Sequence, residues 1–583
     1  MSLGLNAFTA APGWRWLVAR VWGVEHAFER ARARGRAEDD TRIRIFFVLA
    51  LFAAGFLLLG FGATRAALFN NADKDSAYAL ADGSARADLV DRNGAMLAAD
   101  LLHYGLYVDP REVWDVAETR RALHAALPGL EAKRIEKALR GNRRTFLFGG
   151  LTPADRDRIH DFGLPGLTFE PEERRVYPLG TTASHLIGFS DSGGAGLAGA
   201  EFAFDDAVRA GAAKHEPQAL SVDLRVQAAL EDEVIKAAQA FQAKGAVGIV
   251  TNVHTGEILG MVSYPNFDPN TAGKAPPEAL LNRVGTQVYE MGSTFKVFTT
   301  AMGLDSGSVN LGSTFDVATP VRIGGQVIHD YHGANAVMSV SEIFIHSSNI
   351  GTTKMALQAG GPTLTRYFKK FGLFDAAPIE MQESARPILP RQWNDNAVAS
   401  SSFGQAISIT PLALAAGMGA ILNGGTYVPL TIKPMKPGAR PEGTRVVSET
   451  TSQAMLQLMR LNVVHGTGGK ADAPGLRVGG KTGSAQKVVD GRYAQTTLVS
   501  SFAAVFPTDG PASADRYFVL VLMDEPKGNA ESFGFATGGW AAAPAAGRVI
   551  GRIAPFLGVA RRADAPSADP NDLAPALMNG DDH

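Results

Sequence analysis

In Gly292-Ser293-Thr294-Phe295-Lys296 a serine hydroxyl and a lysine amine stand three positions apart. On a helix that spacing puts both side chains on one face, within reach of each other. A serine hydroxyl attacks a carbonyl only when a base takes its proton. Lysine can be that base once burial or nearby positive charge lowers its pKa enough to leave it neutral. The pattern alone is weak, since Ser484 and Lys487 repeat it by accident. Ser347-Ser348-Asn349 offers a hydroxyl for proton relay and an amide for holding a substrate carbonyl. Ser308-Val309-Asn310 repeats that pattern as well, and Ser347 and Asn349 are also of types that cap helices. Lys481-Thr482-Gly483-Ser484 occurs once. It supplies a positive charge, two hydroxyls for a substrate carboxylate, and a glycine where a ligand can approach the backbone closely.

Such groups act together only if regular elements converge on them. The run Leu476–Gly480 reads as an edge strand entering a cleft, which would carry Lys481–Ser484 to its rim. A helical pattern near Val226–Phe241 is followed by strand-like runs Ala246–Thr251 and Ile258–Ser263, joined at Thr255-Gly256 as a hairpin. Long helical patterns fill the middle. Ser500–Val505 and Tyr517–Met523 read as further strands before a helix at Ala541–Ile553. Strand pairs at both ends with helices between predict an α/β or α+β sandwich around an antiparallel sheet. Residues 65–220 mix short runs such as Ala87–Val90 and Gly105–Val108 with turn signals including Asp91-Arg92-Asn93-Gly94, which predicts a mainly β region.

Composition removes several classes of function. A chain of 583 residues exceeds what one core supports, so it is expected to be multidomain. Its net charge of −2 provides no basic excess for phosphates, so nucleic acid is not an implied partner. With no cysteine, disulfides, thiolate catalysis and Cys-type zinc sites are excluded. His332 and His346 lie near the second motif, but their spacing suits no usual zinc site, and no metal or cofactor is expected. Gly194, Gly196 and Gly199 match G-x-G-x-x-G without a βαβ unit around them, and are read as a chance match.

Ile45 to Ala63 carries no charged residue, and a helix of that length spans about 28 Å, the thickness of a hydrocarbon core. Eight arginines precede it, whereas the next twenty residues hold only Arg65 and Lys74. By the positive-inside rule residues 1–44 stay in the cytoplasm, 45–64 form an uncleaved signal anchor, and the remainder is exported. Trp14, Leu17, Val18, Val21, Val24 and Phe28 recur at helical spacing, so residues 13–36 read either as an interfacial amphipathic helix or as a plain basic flank. The tail 560–583, rich in Ala, Pro and Asp, is predicted to be disordered.

The order of the three motifs is more specific than any of them. S-x-x-K, then S-x-N about fifty residues on, then K-T-G about 130 further, is the established signature of penicillin-binding proteins and class A β-lactamases. The chain resembles a class B penicillin-binding protein, the monofunctional peptidoglycan D,D-transpeptidase. Supporting stretches are Arg86 through Asp91-Arg92-Asn93-Gly94, Arg175-Val176-Tyr177-Pro178, His185-Leu186-Ile187-Gly188, Thr255-Gly256-Glu257-Ile258, Phe267-Asp268-Pro269-Asn270, Thr410-Pro411-Leu412 and Gly466-Thr467-Gly468. The resemblance implies a non-catalytic pedestal at 65–220 and a transpeptidase domain at 221–559. The pedestal segment is too short for a glycosyltransferase module. Ser-Ser-Asn in the second motif resembles the division-specific branch (penicillin-binding protein 3, FtsI type); the alternatives are an elongation-specific transpeptidase, a D,D-carboxypeptidase and a non-catalytic divisome scaffold.

The resemblance also implies roles. Ser293 is the nucleophile, Lys296 its base, and Ser347 and Asn349 the relay and amide clamp. Lys481, Thr482, Gly483 and Ser484 hold the terminal carboxylate of a D-Ala-D-Ala stem peptide, and β-lactams acylate the same serine. An FtsW-type glycosyltransferase and other division proteins are the implied partners, and the septal inner membrane the implied location. Met291, where many relatives have Pro, Ser484, where Thr is usual, and Asn252 to His254, where an acidic residue is common, depart from the family pattern.

Overall fold

The computed structural model describes residues 85–331, 336–489 and 492–562, together with a few positions between His26 and Leu59. Contacts divide the chain into two units, 1–82 and 83–583. In the first, residues 51–56 are helical and almost wholly exposed. Most of the expected anchor 45–64, the amphipathic segment 13–36 and the tail beyond Arg562 lie outside the described residues. Among those described, no helix is long and apolar enough to cross a membrane.

The second unit opens with a five-stranded sheet. Its strands are β1 (Leu89–Val90), β2 (Met96–Val108), β3 (Thr145–Leu151), β4 (Leu167–Val176) and β5 (Gln218–Ala219). The long β2 pairs with β1, β3 and β4, and β5 runs parallel to β1. The region is mixed α/β rather than mainly β as expected. Three helices, Val116–Ala126, Ala132–Leu139 and Pro153–His160, the first and third with side-chain N-caps, cover this sheet's outer part. They are short, and their signals are local: Asp115 accepts the N–H groups of Ala117 and Glu118, and Thr152 forms a capping box with Asp155. Helices of two to three turns gain their stability from packing, here Leu123, Ile135 and Ile159 against Leu106, Val108 and Leu147, which periodicity over so few residues does not reveal.

The main body is a five-stranded, wholly antiparallel sheet of β6 (Gly245–Asn252), β7 (Ile258–Tyr264), β8 (Gly479–Val489), β9 (Arg492–Phe506) and β10 (Tyr517–Asp524), in the order β8-β9-β10-β6-β7. The expected hairpin and the two late strands are present, with the hairpin and the late pair meeting through β6 and β10. Both faces are covered. Along β10, Phe518, Leu520 and Leu522 join Val247 and Ile249 in one core, while Tyr517, Val519, Val521 and Met523 join Ala246 and Val250 in another. This alternation is the strand period of two, and helices close both sides. One layer is the helix pair Leu224–Ala240 and Gly538–Ile553; the other is the central helices, including the almost wholly buried Pro411–Leu422.

The inner core does not stop at residue 220. Leu89, Leu186 and Phe204 from the pedestal belong to the same buried cluster as Phe298 and Leu520. Beside it lies a dense ionic knot. Glu201, fully buried, accepts Arg86 Nε at 2.8 Å and Arg175 Nε at 2.7 Å, while Arg86 also meets Asp205 and the Gly194 carbonyl. The chance dinucleotide match is therefore a loop wrapped around a buried arginine.

Candidate active site

Ser293 sits in a 3₁₀ turn, Gly292–Phe295, that runs into the helix α1 (Lys296–Asp305). Gly292 has φ +56°, and a side chain there would lie 2.7 Å from the Ser484 carbonyl. The turn thus presses directly on β8. Gly483 makes the same contact from the other side: a Cβ there would meet the Met291 carbonyl at 2.7 Å and the Thr294 methyl at 2.9 Å. Its missing side chain serves the approach of β8 to the turn that holds Ser293. Ser293 and Ser484 are consequently neighbours across the cleft, Ser293 half-buried and Ser484 exposed.

The second motif joins two helices, α2 (Val340–His346) and α3 (Asn349–Ala359). Ser347 links them in the left-handed region, φ 58° and ψ 44°, a conformation that costs a non-glycine residue about 1–3 kcal/mol and persists only when its surroundings hold it. The kink turns Ser347 toward the floor of the cleft. His346 is exposed in the last turn of α2, and His332 lies outside the described residues.

Two lysines meet at that floor. Lys296 is fully buried, and its Nζ donates to the Ser347 carbonyl and to Asn349 Oδ1 at 2.8 Å, with Ser347 Oγ at 3.1 Å. Lys481, equally buried, donates to the same Ser347 Oγ at 2.9 Å. Among the described residues neither lysine forms an ion pair with a carboxylate. Burial, and then the charge of Lys481, push the Lys296 pKa far below its ordinary value, against an opposing pull from Asp330. Burial lowers that of Lys481 to about 7. A neutral amine has two N–H donors and one lone pair. Lys296 can spend both donors on the Ser347 carbonyl and Asn349 Oδ1, leaving the lone pair for a hydroxyl proton.

The remaining predicted residues line the other wall. Thr482 Oγ1 pairs with Thr467 Oγ1 at 2.7 Å, and Ser484 Oγ accepts the Gly538 N–H at 3.0 Å. All eight predicted residues therefore gather at one cleft. Lys296 hydrogen-bonds Ser347 and Asn349, while Ser293 Oγ has no hydrogen bond among the described residues. Two accessory residues had weaker signals in the sequence. Thr467 lay in a supporting stretch without a role. Asn462, fully buried in the helix Glu449–His465, donates Nδ2–H to the Gly480 carbonyl at 2.7 Å and accepts from Thr467 with Oδ1, fixing both to β8. Nothing in its spacing sets it apart from an ordinary helical residue.

Comparison with known proteins matches residues 246–550 to the penicillin binding protein transpeptidase domain and residues 81–192 to the penicillin-binding protein dimerisation domain. The chain belongs to the penicillin-binding protein transpeptidase family. This transpeptidase is 60% identical over 560 residues to the "Probable peptidoglycan D,D-transpeptidase FtsI" of Caulobacter vibrioides, covering 95% of each chain. It is 30% identical to the peptidoglycan D,D-transpeptidase FtsI of Escherichia coli, over 81% of this chain and 83% of that one. In fold the transpeptidase resembles penicillin-binding protein 3 of Mycobacterium tuberculosis, solved with aztreonam, with a TM-score of 0.64 and 23% identity over 82% of this chain and 98% of the other.

Proposed function

We propose that Ser293 is the acyl-enzyme serine of a septal peptidoglycan D,D-transpeptidase. The carrying observation is that Lys296 and Lys481, both buried and without a carboxylate partner among the described residues, converge on Ser347 Oγ beside the turn that holds Ser293. Neutral Lys296 takes the Ser293 proton as the serine oxygen bonds to the penultimate D-Ala carbonyl of a stem peptide. Collapse of the tetrahedral intermediate breaks the amide bond. Ser347, between the two lysines, returns a proton to the departing terminal D-Ala. An acceptor amine from a second stem then displaces Ser293. The N–H groups of Ser293 and Ser484 form the oxyanion hole, where loss of one donor typically costs about 10²–10³-fold. Lys481, Thr482 and Ser484 hold the substrate carboxylate.

Residues 45–64 are the membrane anchor in this reading. The catalytic unit stands outside the cytoplasmic membrane with β-lactams as acylating inhibitors, and an FtsW-type glycosyltransferase and other division proteins as partners. Covalent labelling with a fluorescent penicillin tests the nucleophile: wild type is labelled, and label retained in Ser293→Ala would remove the assignment. Products made with an amine acceptor separate crosslinking from carboxypeptidase activity, because only the former yields a dimer. Filaments on depletion mark a division enzyme, and rounded cells an elongation enzyme.

A further inference from the structure

Asp330 carries none of the three motifs, yet the second motif is built on it. It follows the strand Gln326–Ile328 and faces the start of α3. Its Oδ2 accepts the Ser348 hydroxyl at 2.6 Å, and its Oδ1 accepts the Ile350 N–H at 3.0 Å. Ser348 Oγ in turn accepts the Gly351 N–H at 2.9 Å. One carboxylate and one hydroxyl therefore occupy donors that a helix start leaves unpaired, and the negative charge suits that end of the helix dipole.

The adjoining backbone adds a second hold. The His329 carbonyl accepts Asn349 Nδ2–H at 3.1 Å. A carbonyl can only accept, so this contact fixes which way the amide lies. The Asn349 oxygen is left facing Lys296 Nζ at 2.8 Å. Ser347, in its left-handed conformation, is pinned between α2 and this clamped helix start. A strained residue keeps such a geometry only when its neighbours over-determine it.

We infer that Asp330 is a positioning residue for acylation, clamping the start of α3 so that Ser347 and Asn349 present their oxygens to the Lys296 amine. This rests on the reading of Ser293 and Lys296 given above. Among the described residues Asp330 also supplies the one anionic charge acting on Lys296, opposite Lys481 of β8; Ser347 and Asn349, the other groups against that amine, are neutral. Replacing it with a neutral residue therefore moves the Lys296 titration to lower pH as well as loosening the clamp.

The test uses the full chain and the rate of acylation by a fluorescent penicillin, resolved into pre-covalent affinity and limiting rate across pH. In Asp330→Asn the limiting rate falls roughly 10- to 100-fold, as expected for misplaced reacting groups, with affinity nearly unchanged. The acid limb of the profile shifts to lower pH, which a purely structural role would not produce. A limiting rate within about twofold of wild type, or a slower rate with an unmoved acid limb, overturns the inference. Should Asp330→Asn not fold, Ser348→Ala removes one arm of the clamp and keeps the charge. It slows acylation without moving the acid limb, and a wild-type rate there overturns the inference. Wild-type labelling of Ser293→Ala would instead remove the underlying reading.

Discussion

Arg86 and Arg175 in the pedestal and Lys296 and Lys481 in the cleft are all buried basic groups, yet among the described residues only the arginines meet carboxylates. Glu201 and Asp205 stand against Arg86, and Glu201 and Asp100 against Arg175. The lysines meet a hydroxyl, an amide oxygen and backbone carbonyls. Compensated charge keeps its proton and holds structure together; uncompensated charge in a dry site sheds its proton and becomes a base. The residue type suits each use. Guanidinium stays protonated and forks onto carboxylates, while an ammonium shifts readily on burial.

Removing one member from each group breaks the comparison most directly. Lys296→Met is expected to lower the acylation rate by about 10²–10⁴-fold, the usual worth of a general base. Its melting temperature should hold or rise, because an apolar side chain of similar length replaces a desolvated amine. A large loss of stability would show that Lys296 is structural. Glu201→Gln should do the reverse, destabilising the fold by about 3–5 kcal/mol because two buried guanidinium groups lose their shared anion. The fraction that folds should acylate at close to the wild-type rate, and denaturant unfolding beside penicillin labelling checks both halves.

The most gradual effect, spread over several pH units, is the pH dependence of stability, and it differs in sign. The Lys481 pKa falls from 10.5 unfolded to about 7 folded, because of burial. Below about pH 7 both states are protonated and the full cost of burying the ammonium is present. As pH rises from about 7 to 10.5, the folded chain has released a proton that the unfolded chain keeps, so stability increases. One such proton is worth at most about 1.4 kcal/mol per pH unit. Burial pushes Asp205 up, but hydrogen bonds from Arg86, the Gly196 N–H and Arg209 outweigh it and hold it at about 2. Its contribution is complete above 3.8 and is lost as pH falls through about 2. Denaturant titrations should show Lys481→Met flattening the alkaline rise only, and Asp205→Asn the acid loss only.

The three motifs and most of the main sheet were legible because their signals are local. Ser293 and Lys296 lie three residues apart where a 3₁₀ turn runs into α1, Lys481–Ser484 follow one another on β8, and the strands of the main sheet read as apolar runs. The pedestal helices were not, since two or three turns carry little periodicity and their burial comes from β2 and β3. Asp330, Asn462 and Thr467 were missed because their contacts, to Ser348 and Ile350, to Gly480 and Thr467, and to Thr482, follow no helix or strand period.

The sequence by itself determined the kind of chemistry available: a hydroxyl nucleophile, amine bases, a basic and hydroxylic carboxylate pocket, no thiol and no cysteine ligand. It also set the order in which these groups occur. The tertiary structure decided which amine is dry and unpaired, and that both lysines share Ser347 Oγ. It also decided that Asn349 turns its oxygen inward. A pKa and an amide orientation depend on solvent exclusion and on partners from distant segments, and neither exists until the chain has closed around them.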